Sequence, residues 1–142
     1  MIAAEGKRRK AREAAFQAAY QADLMGESYA TAWASARPQA GLDEDQGQLV
    51  EDVIGTLERQ GAEVDDALRA AAERWEIGRL AAPDRAVLRA AVGELIGRPG
   101  TPARVILNEA IEIARRFGSE NSGRFVNGVL DRVARTLRPG EL

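Results

Sequence analysis

Five basic residues stand within six positions near the start of the chain, in the stretch "KRRKAR": Lys7, Arg8, Arg9, Lys10 and Arg12. Positive charge at the start of a helix opposes the helix dipole, so helix stability does not explain this cluster. Neutralisation of nucleic-acid phosphates does explain it. The cluster therefore predicts binding to RNA or DNA, which it does not distinguish. A terminus that only improves solubility is the alternative.

A second candidate is the turn before the last predicted helix, "GSENSGRF", in which Arg124 directly precedes Phe125. A guanidinium beside an aromatic ring suits phosphate contact combined with base stacking. The plainer interpretation is a helix stop at Gly118, caps between Ser119 and Ser122, and a Phe125 that belongs to the core. Residue chemistry alone leaves both interpretations open.

Two asparagines, Asn108 and Asn127, fall within predicted helices, where asparagine is unfavourable. Because a buried amide must be hydrogen-bonded, we expect Asn108 to tie neighbouring helices together through the backbone. Asn127 follows Phe125 by two positions, and a binding role is open for it.

Tyr20, Leu24 and Asp84 form a further candidate, a surface for a protein partner. They can act together only if the first helix packs near the start of the helix that begins at about residue 82. The sequence does not settle that arrangement.

The chain has no cysteine and no histidine. This excludes disulfides, thiol chemistry, histidine-bound metals and the commonest general base. Since no clustered carboxylate motif stands on an apolar background, we predict no catalytic residue, no metal site and no cofactor. No stretch approaches the roughly 20 apolar residues that span a membrane, and the basic N-terminus lacks the apolar core of a signal peptide. We therefore expect a cytoplasmic protein without membrane association.

The net charge of −2 is unevenly distributed. Residues 1–12 carry +4, residues 13–97 carry −9 and residues 98–142 carry +3. Two basic ends around an acidic middle are compatible with a polyanion at one surface and a basic protein at another.

The elements that must position these residues are helices. Apolar residues recur with helical spacing, and alanine, leucine, arginine and glutamate are strong helix formers. Seven helices are predicted, at about 8–25, 29–37, 42–61, 63–80, 83–97, 102–118 and 122–137. We expect Pro38 to stop the second, Gly61 to end the third, and Trp75 to face inward in the fourth. Thr101 is the expected cap of the sixth, with Pro102 as its first residue.

The predicted fold class is therefore all-α, a compact bundle that forms one domain over residues 1–142. The link near residues 76–83 divides it into an N-terminal helical subdomain, 8–76, which includes the basic arm, and a C-terminal helical subdomain, 83–137.

Three stretches carry a family resemblance: "RRKAREAAFQAAYQADLMG" at 8–26, "APDRAVLRAAVGEL" at 82–95 and "NEAIEIARRFGSENSGRFVNGVL" at 108–130. In order and spacing, the chain resembles the NusB family of bacterial transcription antitermination proteins over nearly its whole length. The resemblance implies an all-helical fold of two subdomains and a protein that is not an enzyme.

The resemblance also implies partners. It implies binding to the single-stranded boxA sequence of ribosomal RNA leader transcripts, together with NusE, a small-subunit ribosomal protein. That assembly helps RNA polymerase pass terminators. Self-association into a homodimer is left open.

The resemblance assigns residues to these partners. RNA binding is implied for Arg8, Arg9, Lys10, Arg12, Arg124 and Phe125, and NusE binding for Tyr20, Leu24 and Asp84. From their positions beside these residues, we also expect Lys7 and Asn127 in the RNA surface. Two positions beside the RNA-facing turn depart from the family pattern: Asn121 replaces an acid, and Gly123 replaces a larger or basic residue.

Two other functions remain as alternatives. One is an accessory domain in ribosomal RNA modification, related to the helical domain of certain RNA cytosine methyltransferases. The other is a helical adaptor that binds only proteins.

Overall fold

Helices account for the regular structure in a computed structural model of the chain, which describes residues 2–72, 74 and 76–142. No strand occurs in these residues, so the all-α prediction is confirmed. The helices are α1 (Ile2–Met25), α2 (Tyr29–Ala40), α3 (Glu44–Ala71), α4 (Ala82–Gly97), α5 (Ala103–Phe117) and α6 (Ser122–Leu137), with a 3₁₀ turn at Ile77–Arg79.

Helix α4 lies at the centre of the bundle and packs against α1, α3, α5 and α6. Its contact with α3 is close because two glycines face that helix. An added Cβ at Gly93 would lie 3.2 Å from the Leu57 side chain, and one at Gly97 would collide with Thr56. The core is aliphatic, and its largest fully buried side chains include Leu49, Leu57, Leu88, Leu95, Ile106, Leu107 and Leu130.

Helix α2 passes through Pro38, so the predicted stop before this proline is wrong. The helix continues to Ala40 and ends at Gly41, whose φ of 63° is left-handed. A proline leaves the carbonyl four residues earlier without its helical hydrogen bond. That residue is Ala34, which is exposed, so water can satisfy the carbonyl.

The third and fourth predicted helices form one element, α3, with a kink at Gln60 (φ −123°, ψ 30°). The break expected at Gly61 is therefore a kink one residue earlier, and the helix resumes because Val64 and Leu68 continue its buried stripe. The helix ends at Ala71, well before the predicted residue 80. Trp75 lies outside the described residues.

The proline-containing starts of α4 and α5 differ in detail. Helix α4 begins at Ala82, one residue earlier than predicted, and Pro83 stands in its first turn. Helix α5 begins one residue later than predicted, because Pro102 caps it and the Pro102 carbonyl accepts hydrogen bonds from the amides of Val105 and Ile106. Thr101 is buried ahead of the cap. The division into subdomains 8–76 and 83–137 stays a prediction.

Candidate nucleic-acid interface

Lys7, Arg8, Arg9 and Lys10 occupy one turn near the start of α1, and we call these four residues the basic arm. Helix α1 already runs from Ile2, so the arm belongs to a helix and not to a segment before it. Because each residue turns the helix by about 100°, four consecutive side chains point to different sides of α1. Three of the four are exposed, and Arg8 is partly buried.

Three members of the arm contact the junction between α2 and α3. Lys7 Nζ lies 3.8 Å from Asp43 Oδ2, and Arg8 Nε lies 3.4 Å from Asp45 Oδ2. Lys10 Nζ donates to the Gly41 carbonyl at 3.0 Å. The hydrogen bond from Arg8 holds the pKa of the Asp45 carboxyl below its ordinary value. Exposed pairs of this kind contribute little, so phosphate oxygens can replace these carboxylates as partners.

Arg9 points instead to α5. Its Nε and Nη2 each donate to one carboxylate oxygen of Glu109 at 2.8 Å. The Glu109 carboxylate is almost buried, whereas about half of the Arg9 side chain is exposed. The hydrogen bond from Arg9 lowers the pKa of Glu109 and raises the pKa of Arg9. A guanidinium has five N–H donors in a fixed plane, so this pairing leaves donors that can reach a phosphate.

The structure corrects one expectation about the basic cluster: Arg12 does not project from the surface. The residue is only 5% exposed, and its guanidinium donates to both oxygens of the buried Glu94 carboxylate at 2.9–3.1 Å. Arg12 follows Arg9 by three positions and faces α4, where Glu94 offsets its charge. In this position Arg12 fixes α1 against α4.

The second candidate region is the turn between α5 and α6. The Ser119 amide donates to the Ser122 hydroxyl at 2.9 Å, which closes the turn. The expected side-chain cap of α6 is absent, because the residue in the cap position, Asn121, makes no capping hydrogen bond. Arg124 and Asn127 are exposed on α6, and Phe125 is half-buried. An open cleft of about 650 Å³, which we call the α6 cleft, is lined by Ala72, Arg74, Arg124, Phe125, Gly128, Val129 and Arg132.

Helix α5 links the two regions, because it contacts α1 next to the arm and then leads into the turn. Arg9 pairs with Glu109, and one turn later Glu13 accepts a hydrogen bond from Arg116 at 2.8 Å. The Arg116 guanidinium lies 5.2 Å from the centre of the Phe117 ring, which in turn packs 5.0 Å from Phe16. The arm and the turn are therefore joined by a continuous series of contacts along α1 and α5.

The three residues predicted for a protein partner lie where α1 ends and α4 begins. Arg85 Nη2 donates to Asp23 Oδ2 at 2.6 Å, which shows that these two helix ends meet as the prediction requires. Leu24 is 57% exposed and its neighbour Met25 is 70% exposed. These two are the exposed large apolar residues among the described residues. We call the surface formed by Tyr20, Leu24, Met25 and Asp84 the apolar end.

Tyr20 and Asp84 are less exposed than Leu24. The Tyr20 ring stacks on Phe16 with 6.0 Å between ring centres. Asp84 stands in the first turn of α4, where a carboxylate suits the helix dipole. Its Oδ1 is buried and accepts no hydrogen bond from the described residues.

The comparisons with known proteins decide the family. The profile of the NusB family matches residues 9–135. The chain belongs to the NusB family. The transcription antitermination protein NusB of Sorangium cellulosum (strain So ce56) is 45% identical over 136 residues, which cover 93% of this chain and 94% of that protein. That of Koribacter versatilis (strain Ellin345) is 43% identical over 137 residues, covering 93% and 91%.

Solved structures of NusB share the fold. T. maritima NusB has a TM-score of 0.81 and 35% identity, with 90% of each chain covered. A crystal structure of the antitermination factors NusB and NusE in complex with double-stranded RNA has a TM-score of 0.82 and 25% identity, covering 92% of this chain and 97% of the other.

Gly123 is one of the two positions at which we expect a departure from the family pattern. Gly123 is buried, and an added Cβ would lie 3.0 Å from Cγ of Arg115. The Arg115 side chain therefore crosses α6 at this position, and a larger residue at 123 would have to displace it. Asn121 is exposed immediately before α6 and does not cap the helix with its side chain.

The prediction for Asn108 is wrong. Its side chain is exposed on α5 and makes no hydrogen bond to the described residues, whereas Leu107 beside it is buried. Arg116 was missed as a surface residue of the region, although it stands in the last turn of α5 directly before Phe117 and Gly118.

Two kinds of feature are absent from the described residues. They contain no group of three or more acidic side chains placed to hold a metal ion. None of their helices is both long enough and apolar enough to cross a membrane.

Proposed function

We propose that the protein is a transcription antitermination factor of the bacterial cytoplasm. It binds boxA RNA in leader transcripts of ribosomal RNA together with NusE, and the assembly helps RNA polymerase read through terminators. The observation that carries the proposal is the link through α5 between the basic arm and the turn that bears Arg124 and Phe125. The name shared by the relatives, and the solved NusB–NusE complex with RNA, support it.

The RNA side of the mechanism uses charge first. Phosphates are contacted by Lys7, Arg8, Lys10 and the outer edge of Arg9. Each contact with a single strand makes the negative slope of log affinity against log salt steeper by about 0.7. Asp43, Asp45 and Glu109 hold Lys7, Arg8 and Arg9, respectively, before RNA arrives. Arg12 has an indirect part, because its buried pair with Glu94 keeps α1 in place.

Recognition of bases is assigned to the turn. Phe125 is half-buried and can offer one face of its ring to a base, which is worth about 1–3 kcal/mol when lost. Arg124 beside it supplies a phosphate contact, and Asn127, one helical turn after Arg124, can pair with a base edge through its amide.

NusE binding is assigned to the apolar end of α1. Leu24 and Met25 are exposed, so a bound partner would remove their apolar surface from water. Large exposed apolar side chains mark interaction sites. Ribosomal proteins are typically basic, and residues 13–97 carry a charge of −9. Asp84 contributes to the acidic border of this surface.

The test is RNA binding with and without NusE, measured on a boxA RNA and on a scrambled RNA of the same composition. We expect tighter binding to boxA, further strengthened by NusE. No binding to either RNA in the presence of NusE would contradict the proposal and favour the protein-binding adaptor. RNA binding without any NusE binding, and activity only with a separate catalytic chain, would favour the accessory domain of RNA modification.

A further inference from the structure

The α6 cleft contains basic residues that the basic arm and the Arg124–Phe125 pair do not account for. Arg74 and Arg132 line it together with Arg124, so three guanidinium groups border one opening. Arg124 and Arg132 stand eight residues apart on the same face of α6, which places them about 12 Å apart along the helix axis. Phe125 and Val129 supply an apolar strip beside them.

Gly128 stands between the two arginines in the interior of α6. Glycine destabilises a helix interior, and close approach of a ligand to the backbone is a recurrent reason for it. The fold does not require glycine here: φ of Gly128 is not positive, and an added Cβ would meet no described atom within 4 Å. Within the described part of the chain, no side chain occupies the position at Gly128 between Arg124 and Arg132.

Among the described residues, no carboxylate lines this opening, since its described lining consists of arginine, phenylalanine, glycine, alanine and valine. Arg132 uses one N–H to hold the Ala71 carbonyl at 3.0 Å, which fixes the side chain along the cleft and leaves its other donors available. In the basic arm, by contrast, each arginine faces a carboxylate of its own chain.

We infer that the α6 cleft is a binding site for a single RNA strand, with Arg132 and Arg74 as phosphate contacts and Gly128 as the point where the strand lies closest to the helix. This inference rests on the proposed function and extends the RNA path beyond Phe125. Arg124 and Arg132 lie about 12 Å apart along the helix axis, so they can contact phosphates of different nucleotides in the same strand. The aromatic ring at one end of the cleft takes a base.

The test changes the charge at Gly128 in both directions. Gly128→Glu should weaken binding to a single-stranded boxA RNA at least fivefold. Gly128→Lys should bind this RNA more tightly than Gly128→Glu, because the two variants add side chains of similar size and opposite charge to the centre of the cleft. Gly128→Ala should also weaken the binding, but less than Gly128→Glu, because it adds one methyl group at the point of closest approach and no charge. Ala34→Glu is the matched control, since Ala34 is exposed on α2, a helix that packs against α1 and α3. Circular dichroism and thermal melting verify that each variant folds.

Arg132→Ala provides a second, independent measurement. The slope of log affinity against log salt should fall by about 0.7, the value for one phosphate contact with a single strand. Arg135→Ala is its control, because Arg135 stands one turn away on α6 and pairs with Asp131.

The outcomes separate this inference from the proposed function. If the unchanged protein binds boxA RNA and the Gly128 charge variants bind it equally well, the cleft is not an RNA site although the proposed function stands. If Gly128→Glu weakens the binding of NusE and not of RNA, the cleft belongs to a protein partner and the inference is overturned. If the unchanged protein binds no RNA with NusE present, both fail.

Discussion

The guanidinium of Arg12 and the carboxylate of Glu94 face each other inside the bundle through three hydrogen bonds of 2.9–3.1 Å. Arg12 is 5% exposed and Glu94 is 3% exposed. A buried pair of this kind adds little over a well-packed apolar pair, but removal of one partner leaves an uncompensated charge. The pair therefore makes the position of α1 against α4 sensitive to either residue.

The first prediction concerns this pair. Arg12→Ala should lower the free energy of unfolding by about 3–5 kcal/mol, because Glu94 would stay buried without its counter-charge. Arg12→Met with Glu94→Leu should recover most of the loss. Arg37→Ala is the control, since Arg37 is exposed and its nearest carboxylate contact, to Glu51, is 3.9 Å. Urea unfolding followed by circular dichroism measures all of these, and an unchanged midpoint for Arg12→Ala would show that the pair does not hold the fold.

The contrast between Arg9 and Arg12 shows which features of the site can be predicted from the sequence and which cannot. Composition and spacing predict the helices and the positive charge near residue 10. They do not predict which cations are buried, because the deciding carboxylates, Glu94 and Glu109, are 82 and 100 positions away in the chain. The prediction for Asn108 is wrong for the same reason, since the exposure of its side chain depends on how α5 packs against the other helices.

Helix boundaries show a second limit. Pro38 and Gly61 predict that a helix is interrupted at each position, because proline and glycine both destabilise a helix interior. Tertiary packing overrides this cost where the buried stripe continues, as with Val64 and Leu68 after the kink in α3. The apolar end could not be predicted from the sequence either. It depends on the contact between the ends of α1 and α4, where Arg85 pairs with Asp23, a residue 62 positions earlier in the chain.

The second prediction tests the basic arm without disturbing buried groups. Lys7→Ala with Lys10→Ala should weaken binding to boxA RNA and reduce the salt slope by about 1.4, the value for two phosphate contacts with a single strand. Both lysines are exposed and lack buried partners among the described residues, so thermal stability should not change. Fluorescence anisotropy over a range of potassium chloride concentrations measures the slope. Equal slopes for the variant and the unchanged protein would exclude the two lysines from the interface.

The third prediction concerns the carboxylate that holds Arg8. Asp45→Asn should raise RNA affinity by up to about fivefold, because RNA no longer competes with Asp45 for the guanidinium and one nearby negative charge is gone. Glu44→Gln removes the same charge one position earlier, where no contact with the arm is formed by the described side chains. If both variants bind RNA equally, the effect is general electrostatics and the Arg8–Asp45 pair has no specific role.

The fourth prediction is a pH dependence that comes from Glu109. The hydrogen bond from Arg9 lowers the pKa of Glu109 below its ordinary value of 4.5. The folded protein therefore binds this proton less readily than the unfolded chain, and stability rises with pH across the interval between the two pKa values. The contribution of Glu109 is complete above about pH 4.5 and is lost as pH falls through the lowered pKa of the folded state.

Melting temperatures between pH 7 and pH 3 check this dependence. Glu109→Gln should melt below the unchanged protein at pH 7, and the difference should shrink as the pH falls below about 4.5. Glu120→Gln, at an exposed position in the turn, is the control. A difference that stays constant over the whole range would mean that the charge of Glu109 does not contribute.

The fifth prediction addresses the apolar end. Leu24→Ser with Met25→Ser should weaken NusE binding at least tenfold, because apolar side chains at the centre of an interface each contribute more than about 1 kcal/mol when they are anchors. Both residues are more than half exposed, so their replacement removes little from the core and the melting temperature should hold. RNA affinity measured without NusE should also stay the same, since the basic arm lies at the other end of α1. Isothermal titration of NusE into the variant distinguishes the outcomes. Unchanged NusE affinity would show that NusE does not bind at the end of α1. Loss of both NusE and RNA binding would indicate a disturbed fold.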